Sequence, residues 1–319
     1  MYLKPELTIC EQVKEQISTL CQTVGPFEAA FMTFANFSYA PIDHDLLSPL
    51  WTSGNRLRVL AQCGTGYDNV VVGDMTSEGC YFTNTPDAVT QSTADFTVFL
   101  FLAVLRGTSY CEMVARSGLW HQGLELSTDP AGLTLGESRK PYPVLGRTAD
   151  WVAPGIFGMG RIGKDFVKKV RAFGVEIIYN TRNQLAPDVE AELGIRWVNK
   201  EELLRTSDLI ACLCPGTPGT YHMIDTPQFA LMKGEYRLLA THPQRRLIES
   251  LDGVFVINSS RGMVINTQAL ISAIQSGKVK RAGIDVFEDE PNIPEWLLNN
   301  PRVTVTPRES RPAQRIVQS

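Results

Sequence analysis

Gly158, Gly160 and Gly163 stand at the spacing G-x-G-x-x-G within Ile156 Phe157 Gly158 Met159 Gly160 Arg161 Ile162 Gly163, and few short patterns restrict a fold so much. The first glycine permits a tight turn out of a strand. The second lets backbone approach a pyrophosphate, and the third lets a helix pack closely on that strand. The phosphates of a dinucleotide then rest on the helix N-terminus, which makes Arg161 and Ile162 cofactor-binding candidates beside the three glycines. The pattern carries this meaning only between a strand and a helix. The helix is legible: Ile162, Phe166, Val167, Val170 and Phe173 recur at helical spacing, and Gly174 supplies a stop. The strand is not. Only Ile156 and Phe157 precede the loop before Pro154 and Gly155 break the pattern, which is short for a buried central strand.

A chain of 319 residues, 44% hydrophobic and 20% charged, is long enough for two globular domains with sizeable cores. The net charge of -4 gives no basic field for nucleic acid or an acidic membrane, so a small-molecule partner is expected. Seven cysteines lie scattered without zinc-like spacing, which suits a reducing compartment and implies no metal site. The apolar run Phe96 to Leu105 is too short to cross a bilayer and reads as a buried helix. Met1 to Glu15 lacks a signal-peptide core, and cytoplasm is the default.

Along the chain, Ile9 to Leu20 reads as helix, Phe27 to Phe34 and Leu57 to Gln62 as extended, and Tyr81 to Thr83 as a short strand. A long helix follows from about Ser92 to Arg116. After the glycine run come strand Glu176 to Tyr179, helix Glu201 to Thr206 and strands Leu209 to Cys214 and Val254 to Asn258. Helix Thr267 to Ser276 and strands Ala282 to Val286 and Val303 to Val305 complete an α/β alternation.

The second strand of a Rossmann unit ends where the cofactor is sorted: an acidic residue binds the ribose hydroxyls, whereas arginine accommodates a 2′-phosphate. Here that end reads Tyr179 Asn180 Thr181 Arg182 Asn183, with no carboxylate, and Arg182 argues for NADP, with NAD possible. Two later strand ends, Asn258 Ser259 Ser260 Arg261 Gly262 and Gly283 to Pro291, are expected to face one crevice. An arginine there can clamp a carboxylate and polarise a carbonyl, and a glutamate can orient an imidazole. Each alone also fits a solvated strand end.

Together with Gly64 Thr65 Gly66 Tyr67 Asp68 Asn69, and with Asn84 Thr85 Pro86 leading to Thr93 Ala94 Asp95, these motifs resemble the D-isomer-specific 2-hydroxyacid dehydrogenases. Tyr179 to Asn183 is similar to their glyoxylate/hydroxypyruvate reductase branch. The resemblance implies an α/β chain: a Rossmann-type doubly wound parallel sheet plus a smaller flavodoxin-like substrate domain, with a cleft between them, usually in a homodimer. It places an N-terminally incomplete substrate domain at 1–104, the NAD(P)-binding domain at 105–305 and a truncated return at 306–319. Hydride would pass between the nicotinamide and C2 of a small 2-oxo acid. By motif, Arg261 would bind and polarise the oxo acid, and Glu290 would pair with a proton-donating histidine. Backbone at Thr65 and Gly66 would hold the carboxylate, and Asp285 would meet the nicotinamide carboxamide. Ser260 belongs to the same cofactor edge, and Cys214, Pro215 and Thr220 would line the adenosine side.

Three segments depart from the family pattern. Where it has Thr-Pro-His, this chain has Thr306 Pro307 Arg308, and arginine cannot serve as an ordinary proton donor. Residues 137–155 separate Gly132 Leu133 Thr134 Leu135 Gly136 from Ile156, and residues 234–251 separate Lys233 from Asp252. All three begin alike, at Gly136 Glu137 Ser138, Gly234 Glu235 Tyr236 and Arg308 Glu309 Ser310. Each can be encoded across GTGAGT, a strong intron donor, while Pro154 Gly155 and Leu251 Asp252 can each supply a closing AG. Excision would restore Gly-Ile156 and Lys233-Asp252, and the leftover base at the third junction can spell histidine. The shared start implies translation through three retained introns, with impaired activity. Two surface-loop insertions and a degenerate end are the plainer alternative. At face value Arg308 fits a non-catalytic NAD(P)-binding regulator of the co-repressor type.

Overall fold

The computed structural model describes residues 9–32, 41–52, 54, 56–118, 152–233 and 253–307, which form two compact units meeting in sequence at Val89 and Thr90. In the first, α1 (Ile9–Thr23), β1 (Ala29–Met32), α2 (His44–Leu47), β2 (Val59–Gln62), α3 (Val72–Ser77) and β3 (Tyr81–Asn84) follow one another. The strands form a parallel sheet in the order β1-β2-β3. Parallel strands need crossovers, and the intervening helices supply them. Met32, Leu57, Leu60, Leu46 and Met75 make the core. Alternation puts Phe31 and Tyr81 outside it, 62% and 75% exposed.

The second unit contains α4 (Thr90–Arg106), α5 (Thr108–Ser117), β4 (Pro154–Phe157), α6 (Arg161–Val170), β5 (Ile177–Asn180), α7 (Pro187–Leu193) and β6 (Ile195–Trp197). It continues with α8 (Lys200–Thr206), β7 (Leu209–Cys212), α9 (Thr226–Leu231), β8 (Val254–Asn258), α10 (Thr267–Gln275), β9 (Val279–Ile284), α11 (Glu295–Leu298) and β10 (Val303–Val305). Seven parallel strands lie in the order β10-β9-β8-β7-β4-β5-β6. From β4 the chain winds outward through β5 and β6, then returns to β7 and winds the other way, so the switch point lies between β4 and β7. Central strands are buried on both faces, and β4, β7 and β8 are buried along their whole length. One face packs Phe101, Phe166 and Val170; the other packs Leu203, Phe229, Leu270 and Ile274.

Three expectations change in detail. Pro154 and Gly155 do not break the central strand; they are its first half. Proline is tolerated as the first residue of a strand, where its missing N–H costs least. Gly155 is required, because a Cβ there would lie 2.1 Å from Ser207 Oγ and 2.8 Å from Leu203. Leu133 to Gly136, the first insertion as far as Trp151, the second insertion, and Arg308 lie outside the described residues. The helix expected over Ser92 to Arg116 is two helices, bent by 67° at Gly107, which adopts φ +65°. Buried Arg281 fills this corner, its Nη1 donating to the carbonyls of Val104 and Leu105. Finally, the compact second unit starts at Thr90 rather than at 105, because α4 contributes Leu100, Phe101, Val104 and Leu105 to the core around Ile156 and Phe166. Among the described residues no single helix is long and apolar enough to cross a membrane.

Gly155→Ala is expected to lower unfolding free energy by about 3 kcal/mol, read by urea denaturation. The loss shrinks in a Ser207→Ala background, which removes the nearest atom.

Candidate active site

At the switch point the backbone does the positioning. Leu213 N–H donates to Phe157 O (2.8 Å) and Gly158 N–H to Asn180 O (3.0 Å), tying the glycine loop to strands on both sides. Gly158 has φ +96°, and a Cβ on it would meet Leu213 O at 2.6 Å and Cys214 N at 2.7 Å. A Cβ on Gly163 would meet Gly158 O at 2.7 Å, so this glycine sets how closely α6 approaches the loop. Gly160 differs: no heavy atom lies within 4 Å of its missing Cβ. It caps the ten-residue α6 in extended conformation with no side chain accepting from the first turn. Open space, a helix N-terminus at Arg161 and Ile162, and backbone without side chains fit a pyrophosphate.

Beside the loop, Thr181 Oγ1 donates to Asn183 O at 2.7 Å, closing a turn on which Arg182 and Asn183 are exposed. Cys214 is a thiol pushed up to about 11, by burial first of all, and so stays protonated at neutral pH. Thr220 Oγ1 donates to Pro215 O and accepts from Thr217 N–H, both at 2.8 Å, and so shapes the loop it sits on.

The ends of β8 and β9 come together as expected. A Cβ on Gly262 would lie 1.9 Å from the backbone of Phe287, so only glycine lets the Ser260 to Gly262 turn nest against the turn that follows Asp285. Asn258 Oδ1 accepts from Ser260 N–H and Oγ, and its Nδ2 donates to Arg261 O. Arg261 emerges half-buried, Nη1 donating to Ser260 O at 2.9 Å. Asp285 is fully buried and accepts from Thr306 Oγ1 at 2.8 Å. Glu290 accepts from Phe287 N–H at 2.9 Å and closes its own turn.

The first unit holds the Gly64 to Gly66 turn in an unusual way. Every carbonyl is engaged: Gly64 O by Thr85 N–H (3.0 Å), Thr65 O by Asn84 Nδ2 (2.8 Å) and Gly66 O by Gln62 Nε2 (2.6 Å). Among the described residues the N–H groups of Thr65 and Gly66 have no acceptor. Carbonyls engaged and backbone donors without an acceptor among the described residues are the arrangement in which a turn can take an anion. Gln62 was missed in the sequence, and Asn84 was named there only as part of the Asn84 Thr85 Pro86 motif, without this role. Both are the last residues of parallel strands, β2 and β3, where ligand-facing residues gather, and that position is the signal that could have found them.

A second missed pair is His222 and Glu288, with Nε2 and Oε1 2.5 Å apart; Glu288 Oε2 also accepts from Thr267 N–H at 2.7 Å. Sixty-six residues separate the partners, and no single-sequence pattern joins them. Burial opposes ionisation of Glu288, but the bonds from Thr267 and His222 outweigh it and leave its carboxyl below the usual range.

A doubly wound sheet whose switch point carries an open glycine cradle defines a dinucleotide-binding protein. Residues 98–241 and 243–309 match the family model described as D-isomer specific 2-hydroxyacid dehydrogenase, NAD binding domain. The chain is 36% identical over 266 residues to a glyoxylate reductase of Thermococcus litoralis, covering 83% of this chain and 70% of that one. A glyoxylate reductase structure from Paecilomyes thermophila superposes with a TM-score of 0.74 at 31% identity, over 93% of this chain and 77% of that one. An NADPH-dependent glyoxylate/hydroxypyruvate reductase from Sinorhizobium meliloti, solved with NADP and malonate, gives 0.66 at 26% identity, over 89% and 74%. The chain belongs to the D-isomer-specific 2-hydroxyacid dehydrogenases, a family of nicotinamide-dependent oxidoreductases.

Two predictions follow from this geometry. Gly160→Ala leaves the urea midpoint nearly unchanged but weakens NAD(P)H binding by about tenfold or more, whereas Gly158→Ala lowers the midpoint itself. For Glu288, a lowered folded pKa means stabilisation that is present above the ordinary carboxylate value and lost as pH falls through the lowered one. Glu288→Gln is therefore expected to flatten the decline of the urea midpoint between about pH 5 and about pH 3.

Proposed function

We propose that this lineage reduces a small 2-oxo acid of the glyoxylate or hydroxypyruvate type to the D-2-hydroxy acid, preferring NADPH to NADH. The observation that carries the reading is the sheet edge on which the glycine cradle, Arg261 and the Asp285 to Glu290 turn all stand at strand C-termini. Bound there, a dihydronicotinamide supplies a hydride. Arg261 binds and polarises the oxo acid with a charge-assisted fork. The N–H groups of Thr65 and Gly66 hold the substrate carboxylate. Asp285, Ser260, Cys214, Pro215 and Thr220 line the cofactor, and Thr181, Arg182 and Asn183 take its 2′-phosphate. A cytoplasmic homodimer belongs to the same reading. The NADP complex of the Sinorhizobium meliloti reductase supports the NADPH part of this reading.

The new hydroxyl needs a proton, and Glu290 would orient the imidazole that gives it. Arg308 stands where the family pattern has that histidine. We infer that the three divergent segments are retained introns. Their common start supports this, and so does the position of the first: on excision Leu133 Thr134 Leu135 would replace Val152 Ala153 Pro154 and return a ladder N–H that proline lacks.

The test is NADPH oxidation with glyoxylate, using this chain and a version with the three segments excised. Turnover is expected in the excised version, reduced in the chain as it stands, and lowered about 100-fold or more in kcat/KM by Arg261→Gln. An excised version that binds NADPH yet reduces no 2-oxo acid sinks the enzyme reading and leaves the non-catalytic regulator. A mature transcript that keeps all three segments sinks the intron reading.

A further inference from the structure

The Thr181 to Leu185 turn is shaped by side chains behind it. Tyr179 is wholly buried; its hydroxyl donates to Glu190 Oε1 at 2.7 Å and accepts from Leu185 N–H at 2.9 Å. The Trp197 indole donates to Thr181 O at 3.1 Å, and the Trp197 backbone N–H donates to the same Glu190 oxygen at 3.2 Å. Gln184 Nε2 takes the other oxygen, at 3.0 Å. One cluster thus pins both ends of the turn that presents Arg182, and it satisfies both oxygens of Glu190, the carboxylate bonded into this corner.

A carboxylate at this corner has a known consequence: it accepts from a ribose 2′-hydroxyl and repels a 2′-phosphate. We propose that Tyr179 is a positioning residue for cofactor selection, its hydroxyl holding Glu190 away from the 2′ position so that Arg182 acts there unopposed. Burial, followed by the bond to Glu190, raises Tyr179 to about 12, so the phenol remains a donor. The bonds from Tyr179 and Gln184 lower Glu190, so the group being held is an anion. A free Glu190 would favour NADH. The proposal rests on the reading of Arg182 as the 2′-phosphate partner.

Direct titration of the full chain with NADPH and with NADH, followed by tryptophan fluorescence, separates the two ideas. The wild-type chain is expected to prefer NADPH, and Arg182→Ala to abolish the preference. Tyr179→Phe keeps the buried ring and is expected to lower the NADPH-to-NADH affinity ratio by about tenfold, the scale of one charge-assisted hydrogen bond. Glu190→Gln added to it removes the freed charge and is expected to restore most of the ratio, which a general loosening of the turn would not allow. Gln184→Leu, at an exposed position, is expected to lower the ratio in the same direction and serves where Tyr179→Phe does not fold. A wild-type chain that binds NADPH no better than NADH, or a ratio that survives Arg182→Ala, overturns the cofactor reading and this proposal with it. A ratio that depends on Arg182 but is unmoved by both Tyr179→Phe and Gln184→Leu, or is not restored by Glu190→Gln, overturns this proposal alone.

Discussion

The approach of the Gly158 loop to the backbone of Leu213 and Cys214 is the contact on which the second unit depends. It joins β4 to the strand beside it after the chain has left β4, wound through three helices and two strands on one side, and returned as β7. A Cβ at Gly158 would sit well inside van der Waals contact of that backbone, and backbone cannot rotate aside as a side chain can. The turn that closes this contact also aims the first amides of α6 outward. Folding and cofactor binding therefore share one constraint, while Gly160 carries only the second.

The same economy recurs in the two turns at strand ends. In the Gly64 to Gly66 turn, two amide side chains and one backbone donor engage the carbonyls, which leaves the opposite poles of those peptide units facing out. At Ser260 to Gly262, Asn258 does the equivalent work by accepting from Ser260 and donating to Arg261. In both places an uncharged amide from a strand end fixes a turn, and the turn presents donors. A neutral amide carries no net charge, so the only full charge these two turns present is that of Arg261.

The α/β alternation and the two strand ends that meet at Gly262 and Phe287 were legible in the sequence because they follow from periodicity and from glycine. The break at Gly107 was not, since Phe96 to Leu105 and the following segment share one helical period; it is Arg281, far along the chain, that makes the corner habitable. Gln62 and Asn84 act by hydrogen bonds to backbone, so only their place at strand ends marks them, and the Glu190 cluster joins side chains that no spacing rule links. Glu190 also shows why the absence of a carboxylate between Thr181 and Asn183 is only half of a cofactor argument. The acidic group of this corner lies on a helix that begins after the turn, at Pro187.

The start of β4 bears on how the chain came to its present sequence. The positions taken by Val152, Ala153, Pro154 and Gly155 ask for an apolar side chain, backbone bonding to Asp208 and, at the fourth, no Cβ. Leu133, Thr134, Leu135 and Gly136 offer the same sequence of properties, with better strand formers and one more backbone donor. In the described chain Pro154 and Gly155 complete the central strand, so residues 154–155 of the insertion are accommodated inside the sheet. The strand needs glycine immediately before Ile156, and excising residues 137–155 leaves that glycine in place. A strand completed in this way would let the loop and its cradle form, while the chemistry at Arg308 would still lack a proton donor.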